Sequence, residues 1–186
     1  IAYMLKQSQV NLCNFTNNKN VMLIREILQK DNESIAKVIR DIFHELDAPK
    51  VGTAYADPIL DTLYEVYQAP RSVYFVVELN GKVVGGCGVA PLEMLNPVQQ
   101  DNTKVCELQK MYFAPEIRGT GYAEKIIEKC LECAKNQGFE LCYLETLSFM
   151  TAAQKLYKRM GFEPIDGPMG NTGHSSCEVW MTKKIV

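Results

Sequence analysis

The sequence predicts a mixed α/β domain, with a central sheet of about seven mostly antiparallel strands flanked by about four helices. Three observations predict it. Runs of β-branched and aromatic residues of strand length recur along the chain. Apolar residues at helical spacing separate some of these runs. One pair of runs is joined by Asn80-Gly81, the dipeptide that a tight type I′ hairpin turn favours. A chain of 186 residues, 47% hydrophobic and 23% charged, fits one soluble domain with a sizeable core.

Taken in order, residues 1–20 end in the Asn-rich NLCNFTNNKN and read as an arm ahead of a single domain over 21–186. VMLIREIL (21–28) is a first strand. In DNESIAKVIRDIFHELD, the residues Ile35, Val38, Ile39, Ile42, Phe43 and Leu46 recur at helical spacing. Asp31 is placed to cap that helix, and Ala48-Pro49 ends it. ADPILDTLYEVYQAP reads as a second helix, with Asp57 before Pro58 at its first turn and Ile59, Leu60, Leu63, Tyr64 and Tyr67 on its apolar face. SVYFVVELNGKVVGGCGVAPLE is the hairpin. PLEMLNPVQQDNTK is a loop, and KVCELQKMYFAP is the next strand. A helix follows Gly121, with Ala123, Ile126, Ile127, Cys130 and Ala134 as its buried stripe and Gly138 just past its end. FELCYLETL is a strand, and MTAAQKLYKRMGF is a short helix closed by Gly161. FEPI and SSCEVWMTKKI are the last strands, joined by the Gly-rich loop DGPMGNTGH. The chain shows no internal repeat.

Several function classes fall away. A net charge of −2 argues against nucleic acid as a partner, and Lys158–Arg159 and Lys183–Lys184 read as solvated faces. No apolar run is long enough to span a membrane, and IAYMLKQSQV lacks the pattern of a secretory signal. Seven cysteines without a regular framework point to a reducing, cytoplasmic setting rather than a disulfide scaffold. Cys130 and Cys133 form a C-x-x-C, but no second pair stands at zinc spacing. They read as core packing, and no metal is expected.

The segment MYFAPEIRGTGYAEKIIEKC (111–130) carries the functional signal. A P-loop is absent. A dinucleotide fingerprint on Gly85, Gly86 and Gly88 fails, because Pro91 stands where the third glycine belongs and no amphipathic helix follows. Those three glycines read as a twisted strand with close neighbours. Arg118, Gly119 and Gly121 do lie between a strand and a helix. The first N–H groups of a helix lack internal partners and add to the positive end of its dipole, so the turn suits a pyrophosphate. By themselves the glycines fit a plain strand-to-helix turn equally well.

The surroundings resemble the GNAT (general N-acyltransferase) superfamily over roughly residues 70 to 185. Arg118, Gly121 and Ala123 match its Arg/Gln-x-x-Gly-x-Gly/Ala motif, KMYFAPEIRG resembles the lead-in from its fourth strand, and AAQKLYKRMGFEP (152–164) resembles its A-x-x-L-Y-x-x-x-G-F helix. The resemblance implies the GNAT acyl-CoA N-acyltransferase fold and acetyl-CoA as co-substrate. The pantetheine arm would lie along the fourth strand, bonded to backbone groups of Met111 and Phe113. The pyrophosphate would sit on Arg118 to Ala123. The implied cofactor-binding set is Met111, Tyr112, Phe113, Arg118, Gly119, Thr120, Gly121, Tyr122, Ala123 and Ala153. It also implies Tyr157, at the family's signature tyrosine, as the acid for the leaving thiolate.

The implied activity is acetyl transfer to a primary amine of a small molecule or peptide. A non-catalytic CoA-binding sensor of the same fold is the alternative, and a binder of phosphate groups alone is a third. Freeing an alkyl amine of its proton at pH 7 costs about 4.6 kcal/mol, so a base is needed. Glu107 is the candidate. It lies four residues before Met111, and a strand period of two puts both on one face. Glu78 and Glu145 are weaker candidates. Met150 stands where many family members carry Asn. His174, Asn171 and Thr172 read as turn residues. The acceptor would be shaped by residues 45–70 and 90–103, the mild acidity suits a cationic acceptor, and a homodimer through the last strands or the arm is open.

Overall fold

The computed structural model describes residues 21–93 and 104–185. The arm at 1–20 and most of the loop before Lys104 lie outside the described residues. Within them run β1 (Met22–Glu26), α1 (Asn32–Glu45), α2 (Leu63–Val66), β2 (Val73–Leu79), β3 (Lys82–Pro91), β4 (Val105–Phe113), α3 (Tyr122–Asn136), β5 (Leu141–Thr146), α4 (Thr151–Arg159), β6 (Glu163–Ile165) and β7 (Val179–Lys184). They form a seven-stranded sheet in the order β1-β2-β3-β4-β5-β7-β6. Only β4 and β5 pair in parallel; every other neighbour is antiparallel. No helix among the described residues is long and apolar enough to cross a membrane.

The sheet separates two apolar layers. On one side α3 and α4 bury Ile126, Ile127, Cys130, Ala134 and Leu156 against Phe75, Val77, Cys106 and Leu108. On the other, Ile35, Ile39, Ile42 and Phe43 of α1 pack with Leu60, Leu63, Tyr67 and Tyr74. Each fully buried side chain of this size contributes roughly 1.5–3 kcal/mol. Asn80 and Gly81 take φ of 50° and 84°, as a type I′ hairpin requires. The thiol of Cys130 is buried and donates to the Cys87 carbonyl at 3.7 Å, so the C-x-x-C is part of the core.

The glycines of β3 are selected by close neighbours. A β-carbon on Gly86 would lie 2.5 Å from the Tyr74 ring, and one on Gly88 2.6 Å from the same ring. Gly85 meets the Phe113 ring in the same way. Small residues here let aromatic side chains cross the strand.

Three local expectations are corrected. The second helix is broken into a 3-10 turn at Leu60–Thr62 and the short α2, because Thr62 leaves the helical region at φ −132°, ψ 34°. Side chains take the freed donors: Asn32 accepts from the Tyr64 N–H at 2.8 Å and Asp57 from the Ile59 N–H at 3.1 Å. Asp31 stands at the start of α1 but does not cap it. Its carboxylate accepts from the Leu28 N–H and from Arg25. Leu46 leaves the buried stripe of α1 and is 39% exposed.

Candidate active site

The pairing of β4 with β5 sets the site. It covers Val105–Glu107 against Leu141–Tyr143 and then stops, although β4 runs on to Phe113 and β5 to Thr146. The strands splay, and among the described residues the β5-facing edge of β4 has no strand partner beyond Glu107. A cleft of about 620 Å³ opens there, between the end of β4, the mouth of α3 and the first turns of α4.

Gly119 and Gly121 shape the mouth of α3 with φ of 75° and 82°. A β-carbon on either would meet no atom of the other described residues within 4 Å. The backbone conformation selects glycine, and the space in front of the turn stays open. The first intrahelical bond runs from the Lys125 N–H to the Gly121 carbonyl, so the preceding N–H groups of this helix lack helical partners. They face a helix of 15 residues, long enough for its dipole to favour an anion at this end.

Of the residues implied for the cofactor, Met111, Phe113, Arg118, Gly119, Gly121, Ala123 and Ala153 line this cleft, and Tyr157 joins them. Three do not present side chains to it. The Tyr112 ring packs on Phe43 at 5.5 Å on the far face of the sheet. Thr120 donates to the Ile117 carbonyl at 2.6 Å, and Tyr122 to the Met22 carbonyl at 2.9 Å. Thr120 and Tyr122 can serve a ligand only through their backbone. Arg118 is engaged: its Nε donates to the Phe113 carbonyl at 3.0 Å and its two terminal nitrogens to the Glu45 carboxylate at 2.6 and 2.7 Å. It clips the turn to β4 and to the end of α1.

Glu107 and Met111 do not share a face. Lys110 sits at φ 49°, and the β3–β4 register passes from Gly88↔Gln109 to Gly86↔Tyr112 with a shift between them. This bulge inserts a residue and reverses the alternation beyond it. Met111 and Phe113 therefore pack on the α3 side, while Glu107 lies on the opposite face with Gln109. Gln109 donates to the Glu107 carboxylate at 2.7 Å and accepts from the Tyr67 hydroxyl at 2.7 Å. Glu107 is only 4% exposed. Burial, aided by the Glu145 charge and opposed by Gln109, His174 and Lys110, pushes its carboxyl up to about 7.

The other carboxylates are occupied. Glu78 pairs with Arg25 at 2.8 Å near the opposite edge of the sheet. Glu145 accepts from the Tyr143 and Thr172 hydroxyls at 2.7 and 2.9 Å. Tyr157 is buried, its ring edge-on to Phe162, and that burial holds its phenol well above the usual tyrosine range. Met150 lines the cleft and receives a weak bond from the Thr146 hydroxyl at 3.8 Å.

Lys110, which no sequence signal marked, and Asp57, expected only at a helix start, carry structure here. Lys110 is buried and pairs with Asp57 at 2.6 Å. Burial alone would raise the Asp57 carboxyl. His174 at 3.7 Å, Lys110 and the Ile59 N–H together hold it well below the usual range. Of the supposed turn residues, Thr172 thus bonds Glu145 and His174 stands beside Asp57.

The comparisons agree with this geometry. The model of the acetyltransferase (GNAT) family matches residues 39–162. The chain is 47% identical over 165 residues to the uncharacterized N-acetyltransferase YjgM of Escherichia coli (strain K12), covering 88% of this chain and 95% of that one. It is 30% identical to human N-acetyltransferase 8 over 72% of this chain and 56% of that protein. The fold matches the crystal structure of a GNAT-family acetyltransferase from Staphylococcus aureus Mu50 with a TM-score of 0.77 at 19% identity, over 89% of this chain and all of that one. It also matches yncA of Salmonella typhimurium, solved with its cofactor acetyl-CoA, with a TM-score of 0.71 at 18% identity, over 90% and 95% of the two chains. On the family match, the near-full-length relative and the splayed strands with their glycine turn, the chain belongs to the GNAT acetyltransferase family.

Proposed function

We propose that the protein moves the acetyl group of acetyl-CoA directly to a primary amine of a small molecule or peptide. The observation that carries this reading is the meeting of three features on one cleft: the open mouth of α3, the unpaired edge of β4 and the Tyr157 side chain. The α3 mouth holds the pyrophosphate through backbone N–H groups. The pantetheine arm runs along β4 at Met111 and Phe113.

The thioester then lies in the gap between β4 and β5. Glu107 is on the other face of that gap, and the acceptor approaches from its side. A carboxyl with a pKa of about 7 is half ionised at neutral pH and takes the proton that an ammonium must lose. The neutral nitrogen attacks the thioester carbon, and a backbone N–H of β4 stabilises the oxygen as charge develops. The carbon–sulfur bond breaks, Tyr157 gives its proton to the departing thiolate, and the second proton shed by the acylated nitrogen passes to the Tyr157 oxygen and restores the phenol. An amide and CoA leave.

The test is turnover with a panel of amines and amino-terminal peptides, following CoA release by chromatography. The reading expects at least one amine to be acetylated. It also expects kcat to fall by about 10²-fold or more in Tyr157→Phe with little change in acetyl-CoA binding. Transfer that survives undiminished in Tyr157→Phe removes the acid role.

A further inference from the structure

We propose that the buried Asp57–Lys110 ion pair, with the Tyr74 hydroxyl, is a positioning device that holds the β4 bulge. By doing so it aims the Met111 backbone N–H at the thioester oxygen of acetyl-CoA. The inference rests on the cofactor reading above and names what sustains its geometry.

Lys110 occupies a backbone region that a lysine rarely adopts, at φ 49°. Something must hold it there. Its side chain is 3% exposed, and its ammonium meets the Asp57 carboxylate at 2.6 Å. Its carbonyl accepts from the Tyr74 hydroxyl at 2.8 Å, and a β-carbon on Gly86 would collide with the Tyr74 ring. The residue is therefore gripped at side chain and carbonyl by two different elements. Asp57 is in turn fixed by the Ile59 N–H at 3.1 Å and flanked by His174 at 3.7 Å.

The consequence appears one residue later. The bulge leaves Met111 without a partner in the β3–β4 register and turns its side chain into the cofactor cleft. Without the bulge, Met111 would take up the alternation set by Glu107 and Gln109 and face away from the cleft. Neither Asp57 nor Lys110 lines the cofactor cleft, and the Tyr74 that bonds the Lys110 carbonyl packs in the layer on the α1 side, so neither charged group needs to touch the cofactor. They act through the backbone.

The experiment is isotope-edited infrared spectroscopy of bound acetyl-CoA labelled with ¹³C at the thioester carbonyl, run beside calorimetric titrations with acetyl-CoA and CoA. A hydrogen bond to the carbonyl lowers its stretching frequency. The wild-type protein is expected to show that downshift. Asp57→Asn leaves the buried Lys110 charge unpaired and is expected to lose the downshift. Its acetyl-CoA affinity is expected to fall roughly 3- to 10-fold, as for one hydrogen bond, with CoA affinity unchanged. Asp57→Asn combined with Lys110→Gly removes the charge and supplies a residue at ease with positive φ. That pair is expected to regain the downshift. Asp57→Asn with Lys110→Val removes the charge but resists the bulge, and is expected not to.

The two double variants decide the matter even where Asp57→Asn alone fails to fold. A downshift retained in Asp57→Asn, or an equal response from the glycine and valine pairs, overturns the proposal. So does acetyl-CoA that binds the wild type with no downshift, which leaves the cofactor reading standing. Failure of the wild type to bind acetyl-CoA at all defeats the cofactor reading itself and the proposal with it.

Discussion

Glu107, the proposed base, shows how burial moves a carboxyl toward neutral pH. Its strand and its candidacy were legible in the sequence, but its face was not. The period-two rule fails at Lys110, where nothing in the residue type announces a positive φ. The burial has a sign that can be checked. A carboxyl raised from 4.5 to about 7 binds its proton more tightly in the folded than in the unfolded chain. Its contribution is therefore present below pH 4.5 and lost as pH rises through about 7. Glu107→Gln is expected to be more stable than wild type at pH 8, by on the order of 2 kcal/mol in chemical denaturation. The same change is expected to lower kcat/KM by about 10²- to 10⁴-fold. In the wild type, kcat/KM should climb with pH to a plateau above about 7, and the variant should lack that step. A variant both less stable at pH 8 and equally active would remove Glu107 from the chemistry.

At the scale of the element, α3 is bounded by two glycines with nearly the same backbone. Gly121 has φ 82° and Gly138 φ 81°, and neither would bring a β-carbon within 4 Å of an atom of the other described residues. Alanine at either should cost roughly 1 kcal/mol through the positive φ alone. Of the two, Gly121 alone lines the proposed cofactor cleft. Gly121→Ala is expected to weaken acetyl-CoA binding several-fold, while Gly138→Ala, with the same loss in melting temperature, should bind as wild type. Equal affinities in the two variants would show the glycine turn to be a connection and nothing more. Helix 3 was readable because its apolar stripe and end signals agree. The second helix was not, since Leu60, Leu63 and Tyr67 need only reach the core at intervals of three and four. A 3-10 turn and one α turn satisfy that spacing as well as a continuous helix does.

For the whole molecule, the site is a property of the sheet rather than of any motif. The order β1-β2-β3-β4-β5-β7-β6 places one parallel pair in the middle, and its early divergence opens a gap that joins the two faces. The strand runs, the Asn80-Gly81 hairpin and the glycine turn told of the layers and of the proposed cofactor side. The splay, the Lys110–Asp57 pair and the orientation of Tyr112 depend on contacts between residues 36 to 69 positions apart, and no local pattern encodes them. The acceptor side carries no motif for the same reason. In the proposed complex this gap holds the pantetheine arm while the α3 mouth holds the phosphates. A calorimetric titration of the protein with acetyl-CoA, beside dephospho-CoA and pyrophosphate, tests it most directly. Acetyl-CoA is expected to bind in the micromolar range, and pyrophosphate alone far more weakly because it leaves the β4 edge empty. No binding of acetyl-CoA, or binding by pyrophosphate of equal strength, would contradict it.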